Sequence, residues 1–211
     1  MTERAGGRRP RLGRLLAVVA LVAIALTGCA GAQPHGEELY ATARQANLLF
    51  KETVAAVLIH ISDGTWQIQD YGDLPLDCHP GYAFSLHRTT FEGWTLDRDA
   101  ATTAEGLAAW LGDRGWTAQI RSGGDGQPAV EASAPALQIA SLVIEIRDGD
   151  GTADAIGVGA TSDCVDGDAE ELKALLYPGY PDRPVAHEPL PAGEPAGATP
   201  IFGFTEDGSP R

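Results

Sequence analysis

The sequence contains almost no lysine and shows no cluster of positive charge that a nucleic acid would need. Lysine occurs only at Lys51 and Lys173 in 211 residues, while aspartate and glutamate total 29 and the formal net charge is −14. The basic residues beyond position 28 are scattered singly, so no patch can neutralise a row of phosphates. The composition therefore argues against nucleic acid as a partner.

Recognisable catalytic and metal-binding motifs are also lacking. Neither H-E-x-x-H nor G-x-S-x-G occurs, so no catalytic residue and no metal ligand is predicted. Cys78 lies between Asp77 and His79, but a neighbour in sequence does not direct its side chain at the sulfur. We therefore predict that the protein is not an enzyme, with an envelope hydrolase of unknown type as the less favoured alternative.

Two acidic segments could supply calcium ligands, but neither follows the full calcium-loop pattern. A hairpin turn explains the first segment, and the N-terminus of a helix explains the second. Calcium binding stays open as an alternative for both. The carboxylates concerned are Asp148, Asp150 and Asp154 in the first segment, and Asp163, Asp166, Asp168, Glu170 and Glu171 in the second.

The apolar run at residues 15–26 is too short to span a membrane, which takes ~20 apolar residues. Arginines precede it, and small residues follow it as far as Cys29. A positive segment, an apolar segment and small residues are the three parts of an export signal. We therefore predict that residues 1–28 are a signal peptide. The arginines are Arg4, Arg8, Arg9, Arg11 and Arg14.

The tetrapeptide Leu26-Thr27-Gly28-Cys29 resembles the lipobox of bacterial lipoproteins. The resemblance implies that Cys29 carries a covalent diacylglycerol and becomes the mature N-terminus, on the extracytoplasmic face of the cell membrane. Loss of residues 1–28 removes five arginines and one glutamate, which changes the net charge from −14 to −18. Such an acidic surface does not favour anionic headgroups, so the acyl chains provide the attachment to the bilayer. No other cofactor is predicted, and an ordinary secretory signal with a chance cysteine is the alternative.

Cys78 and Cys164 are the two cysteines that remain once Cys29 is lipidated. Export to an oxidising compartment and an even count predict a disulfide between them. Two free thiols are one alternative, and a metal pair without the C-x-x-C spacing is the other. A bridge would close a loop of 86 residues, worth ~4 kcal/mol in the chain-entropy model.

The order of helical and strand patterns predicts one α+β domain at residues 36–180. Residues 29–35 form a short tether before it, and residues 181–211 form a proline-rich, mostly disordered tail. The tail has one apolar cluster, Ile201, Phe202 and Phe204, which could dock as a short extended segment. We expect an antiparallel sheet of about four to five strands with helices packed on one face.

The separate elements follow from hydrophobic periodicity and turn residues. Helices are predicted at 36–60, at 100–114 with Asp97 or Asp99 as the N-cap, and after Asp166 or Asp168. Strands are predicted at 65–68, at 82–94 as one long or two short strands, and at 116–121, 129–134, 141–147 and 153–162.

A wider resemblance covers residues 30–180. It rests on the lipobox, an amphipathic first helix, Trp66 followed by Cys78, the pattern Leu-Gly-x-x-Gly-Trp ending at Trp116, and a last strand that runs into Cys164. Together these features resemble small actinobacterial lipoproteins of the LppA-like type. That group has no established enzymatic activity, so the resemblance implies no site residue.

The aromatic side chains are the best candidates for a binding surface. They could line an apolar cleft for a lipid or another envelope ligand, or they could simply pack in the core and at its rim. We predict a non-catalytic binding or interaction module, with an envelope protein or a small hydrophobic ligand as its partner. The candidate residues are Trp66, Trp94, Trp110, Trp116, Tyr82 and Phe84.

Overall fold

The computed structural model describes residues 33–123, 126–149, 153–177, 179, 182, 192–205 and 209. Its helices are α1 (Gly36–Ile61), α2 (Ala100–Gly112) and α3 (Ala169–Leu176), with a 3-10 turn at Pro135–Leu137. The strands are β1 (Thr65–Asp70), β2 (Leu76–Asp77), β3 (Gly81–Ala83), β4 (Ser85–Thr90), β5 (Thr117–Ser122), β6 (Pro128–Ala134), β7 (Ile139–Arg147), β8 (Ala155–Ser162), β9 (Val165–Asp166) and β10 (Gly193–Pro195).

The strands form two antiparallel sheets, and the predicted α+β class is confirmed. The larger sheet has the order β10-β1-β4-β8-β7-β6-β5, and the smaller has the order β2-β3-β9. The larger sheet has seven strands instead of the four to five expected. The difference arises because all the longer strands join one sheet, and because the C-terminal segment adds β10 at its edge.

One face of the larger sheet carries the core. Alternate side chains of the two central strands pair across the sheet as Leu142 with Ala160, Ile144 with Val158, and Ile146 with Ile156. All six are at least 95% buried, because α1 and α2 pack over this face. Side chains of the opposite parity, such as Ser141 and Glu145, point to the uncovered face.

The helices begin and end where the sequence provides caps. The Asp99 carboxylate accepts the N–H of Thr102 at 2.9 Å at the start of α2, and Gly115 follows the helix with φ of 82°. Asp168 caps α3 by accepting two backbone N–H groups. No helix in the described part of the chain combines the length and hydropathy that a membrane span needs.

A disulfide joins Cys78 and Cys164, as the cysteine count predicts. The two Cα atoms are 6.0 Å apart. Cys78 lies just before β3, and Cys164 lies between β8 and β9. The bridge therefore joins the segment before β3 of the small sheet to the segment that follows β8 of the large sheet.

The C-terminal segment at residues 192–205 packs against the domain. β10 pairs with β1, and Phe202 and Phe204 are 1% and 6% exposed. The expectation of a mostly disordered tail at 181–211 is therefore wrong for this stretch, although its apolar cluster docks in the way considered as an alternative. The apolar side chains of this segment pack in the core of the domain instead of forming a separate core. The ring centre of Phe202 lies 5.9 Å from the ring centre of Phe84. Residues 183–191 lie outside the described residues.

Candidate functional site

The six candidate aromatic residues divide into four core residues and two cleft residues. Trp66, Tyr82 and Phe84 are fully buried and Trp116 is 7% exposed, so these four side chains belong to the core. For these four residues the structure shows core packing, which is one of the two roles considered for the aromatic residues. Trp94 and Trp110 are only partly buried, and both line one surface cleft.

The cleft has a volume of about 630 Å³ and lies between the C-terminal end of α1, the segment before α2, and α2 itself. Buried Leu107 and Ile156 form its base, and Ile61 and Leu96 add apolar surface. Asp97, Arg98 and Asp113 provide charged groups around this apolar surface. A concave apolar surface with a few polar groups is the usual form of a small-molecule site, at ~300–1,000 Å³.

Trp110 is held by two neighbours on different elements. The His60 imidazole stacks on its indole with ring centres 3.9 Å apart and planes within 5° of parallel. The Arg114 guanidinium lies 4.1 Å from the indole centre, where a cation is attracted by the π electrons. Partial burial, reinforced by the positive charge of Arg114, lowers the pKa of His60. These contacts fix the orientation of Trp110 before any ligand binds.

Asp154 holds the other wall, which carries Trp94 and Leu96. Its carboxylate accepts the N–H of Leu96 at 2.8 Å and the N–H of Gly149 at 2.9 Å. These two backbone donors lower the pKa of Asp154. The carboxylate thereby joins the segment before α2 to the β7–β8 connection, and it positions one side of the cleft.

Three carboxylates of the acidic segments considered for calcium make other contacts. Asp154 supports the cleft wall, Asp168 caps α3, and Glu171 accepts the N–H of Gly36. No group of three or more histidine, cysteine, aspartate or glutamate side chains is placed to hold a metal ion within the described ranges. Asp150 lies outside those ranges.

Gly106 is the cleft residue that aromatic patterns could not reveal. It lies inside α2, where glycine costs about 1 kcal/mol relative to alanine. A Cβ placed there would meet no atom within 4 Å, so no neighbour requires the glycine. Its effect is to leave the α2 wall of the cleft open. An isolated glycine inside a helical pattern is the sequence signal that points to such a position.

The histidine–carboxylate pairs of the described residues lie outside the cleft. His79 Nδ1 is 2.7 Å from Asp77 Oδ1, but the two side chains are 90% and 57% exposed beside the disulfide. The His35–Glu171 pair lies at the start of α1. Within the described part of the chain, His60 makes no hydrogen bond to a carboxylate.

The fold and the cleft define an α+β protein with an aromatic surface site. No protein-family model, no curated protein and no solved structure matches the chain. The resemblance to LppA-like lipoproteins therefore remains a prediction, and the residues of the site themselves are the basis for proposing a function.

Proposed function

We propose that the protein is a lipid-anchored, non-catalytic binding module on the extracytoplasmic face of the cell membrane, and that its ligand occupies the cleft between Trp94 and Trp110. The observation that carries this proposal is the cleft of about 630 Å³ with two tryptophan walls, an apolar base and charged groups around it. Rigid aromatic surface gives a large contact area at low entropic cost.

The chemistry of the cleft favours an amphipathic small molecule. An apolar body would pack between the two indoles and over Leu107 and Ile156, while a polar end would reach Asp97 or Arg98. An envelope lipid or lipid precursor belongs to this class. Docking of an envelope protein is the second candidate, and an enzyme of unknown type is the third.

The membrane anchor is a separate part of the proposal. It is supported by the lipobox ending at Cys29 and by the Cys78–Cys164 disulfide, since structural disulfides are typical of exported proteins. Cys29→Ala should release the protein from membranes or leave it as uncleaved precursor. Intact mass and membrane fractionation measure this, and unchanged mass with full membrane retention would contradict the anchor.

Two glycines of α2 provide a matched test of the cleft. Gly106 lines the cleft and Gly112 does not, and the position of a Cβ is open at both. Gly106→Leu places an isobutyl group in the cleft, while Gly112→Leu makes the same change elsewhere on the helix. Both should preserve or raise the melting temperature, because leucine has the higher helix propensity.

Binding is measured with dodecanoate as the probe, below its micelle concentration, by tryptophan fluorescence and isothermal titration calorimetry. We expect saturable binding to the parent protein and to Gly112→Leu, and at least a tenfold weaker affinity for Gly106→Leu. Equal affinity for all three proteins would place the probe elsewhere. If the parent does not bind dodecanoate, the amphipathic-ligand proposal fails, and docking of an envelope protein becomes the leading candidate.

A further inference from the structure

The two edges of the large sheet are protected very differently. The β10 edge is only three residues long, and it ends in Pro195, which has no N–H to offer another strand. The β5 edge is six residues long and contains no proline, no lysine and no break in its register with β6. No strand pairs with the outer side of β5 among the described residues. Apart from the single charge of Arg121, the β5 edge therefore lacks the usual devices that keep a sheet from pairing with another chain.

The hairpin register shows which backbone groups of β5 point outward. Gly123 donates its N–H to the carbonyl of Gln127 at 2.6 Å, and these two residues continue the β5–β6 pairing. In an antiparallel pair, hydrogen-bonded positions alternate along the strand. The odd-numbered residues of β5 thus bond to β6, and the even-numbered ones direct their N–H and C=O groups to the free edge. The even-numbered residues are Ala118, Ile120 and Ser122.

The side chains on this edge leave an apolar residue exposed. Ile120 pairs with buried Val130 and so lies on the core face of the sheet, yet it is 45% exposed because no further strand covers it. On the opposite face, Arg121 lies 3.4 Å from the Glu131 carboxylate and Gln119 lies 3.3 Å from it. The free edge therefore combines unpaired backbone groups, the exposed Ile120 side chain, and an Arg121 charge that is paired with Glu131.

We propose that β5 is a dimerisation edge, and that it pairs antiparallel with β5 of a second copy about a twofold axis through Ile120. In this register Ile120 faces Ile120 of the second copy, and Ala118 faces Ser122. Ala118, Ile120 and Ser122 are also the residues whose backbone groups point outward, so the hydrogen bonds are satisfied. The large sheet then continues across both copies, and the two exposed isoleucines cover each other.

β5 itself brings no carboxylate to a contact between two copies. The protein is acidic, with a net charge of −14, so contact between most parts of two copies brings carboxylates together. β5 carries a single charge, Arg121, and the proposed register places it opposite the neutral Gln119 of the other copy. The six-residue strand is thus complementary to itself, as an isologous dimer interface requires.

The test begins with the oligomeric state of the full chain in detergent. Sedimentation equilibrium with density matching should show a monomer–dimer equilibrium from micromolar concentration upward. Ile120→Lys should shift the protein to monomer, because lysine cannot be buried against its symmetry mate. Leu49→Lys is the control, because Leu49 is 40% exposed, which is close to the value for Ile120, but lies on α1. A monomer at all concentrations, or a dimer that Ile120→Lys leaves intact, overturns the proposal.

Two further variants test the register. Ile120→Cys should give a covalent dimer with a short bismaleimide, while Leu49→Cys and the parent protein should not. Ala118→Pro removes an outward N–H without removing a bond to β6, so it should abolish dimerisation while the circular dichroism spectrum is kept. A dimer that fails to cross-link at Ile120, or that tolerates Ala118→Pro, would show that another surface forms it.

Discussion

Lys51 and Asp73 form an ion pair in the interior of the protein, with side-chain exposures of 7% and 0%. Lys51 also donates to the carbonyl of Ile201 at 2.8 Å, and Asp73 accepts the N–H of Gly203 at 2.9 Å. The ammonium lies 4.2 Å from the ring centre of Tyr71. The pair therefore connects α1 to the C-terminal segment, which follows it by about 150 residues in sequence.

Removing one member of this pair should be much more harmful than removing both. Burial raises the pKa of Asp73 in spite of the nearby Lys51 charge, so the carboxylate depends on its partner. We expect Lys51→Met to lower the free energy of unfolding by about 3–5 kcal/mol, because it leaves a buried charge unpaired. The double variant Lys51→Met/Asp73→Asn should recover part of that loss. Urea unfolding of the parent, Lys51→Met, Asp73→Asn and the double variant measures the coupling, and additive effects would contradict it.

The C-terminal segment should be required for stability. Truncation before residue 192 removes the buried rings of Phe202 and Phe204, and it removes Glu194, whose carboxylate lies 2.9 Å from Arg88 Nη2. The loss of two buried aromatic residues, at ~3–5 kcal/mol each, should lower the melting temperature by roughly 12–40 °C, because each kcal/mol shifts a domain of this size by ~2–4 °C. Truncation after Thr205 is the control and should have little effect. Equal melting temperatures for the two truncations would show that the segment is dispensable.

Sequence patterns predicted the helices and strands, in which apolar residues recur at a regular spacing. Hydrophobic periodicity placed α1 at residues 36–60, close to the observed Gly36–Ile61, and strand patterns at 141–147 and 153–162 agree closely with the observed β7 and β8. The two remaining cysteines predicted the disulfide because export and an even count leave few alternatives. Each of these predictions depends on local order or on counting.

Contacts between distant segments were not predictable in the same way. Lys51 looks like a surface residue in an amphipathic helix, and nothing near it in sequence points to Asp73 or to the carbonyl of Ile201. The sequence also does not distinguish tryptophans of the core from those of the cleft. Trp66 is fully buried in the structure, whereas Trp110 is partly exposed. The cleft is created by tertiary packing, so only the assembled structure separates these roles.

The disulfide should contribute measurably to stability. It joins cysteines 86 residues apart, with Cα atoms separated by 6.0 Å. Cys78→Ala/Cys164→Ala should lower the free energy of unfolding by ~2–5 kcal/mol, because the unfolded chain regains the freedom of a long loop. Urea unfolding measures this, and alkylation of the unreduced, unfolded parent should add no label at Cys78 or Cys164. Two labelled thiols at these positions would mean that the bridge is absent.

His35 and Glu171 should make the start of α1 sensitive to pH. Glu171 accepts from His35 Nδ1 through one carboxylate oxygen and from the N–H of Gly36 through the other, both at 2.7 Å. The hydrogen bond to Glu171 raises the pKa of His35 above 6.5, and the bond from His35 lowers the pKa of Glu171 below 4.5. The stabilising contribution of His35 is therefore present below pH 6.5 and is lost as pH rises through its raised pKa. That of Glu171 is present above pH 4.5 and is lost as pH falls through its lowered pKa.

The pair is consequently strongest between the pKa of Glu171 and that of His35, a window that includes mildly acidic conditions. Glu171→Gln should return the pKa of His35 toward 6.5 in a histidine NMR titration, because the carboxylate is gone. Glu170→Gln, next to it on α3, is the control and should leave that pKa unchanged, since Glu170 pairs with Lys173 instead. An unshifted His35 in the parent protein would show that the contact does not persist in solution. His35 is the last residue of the tether predicted at residues 29–35, of which residues 29–32 lie outside the described residues.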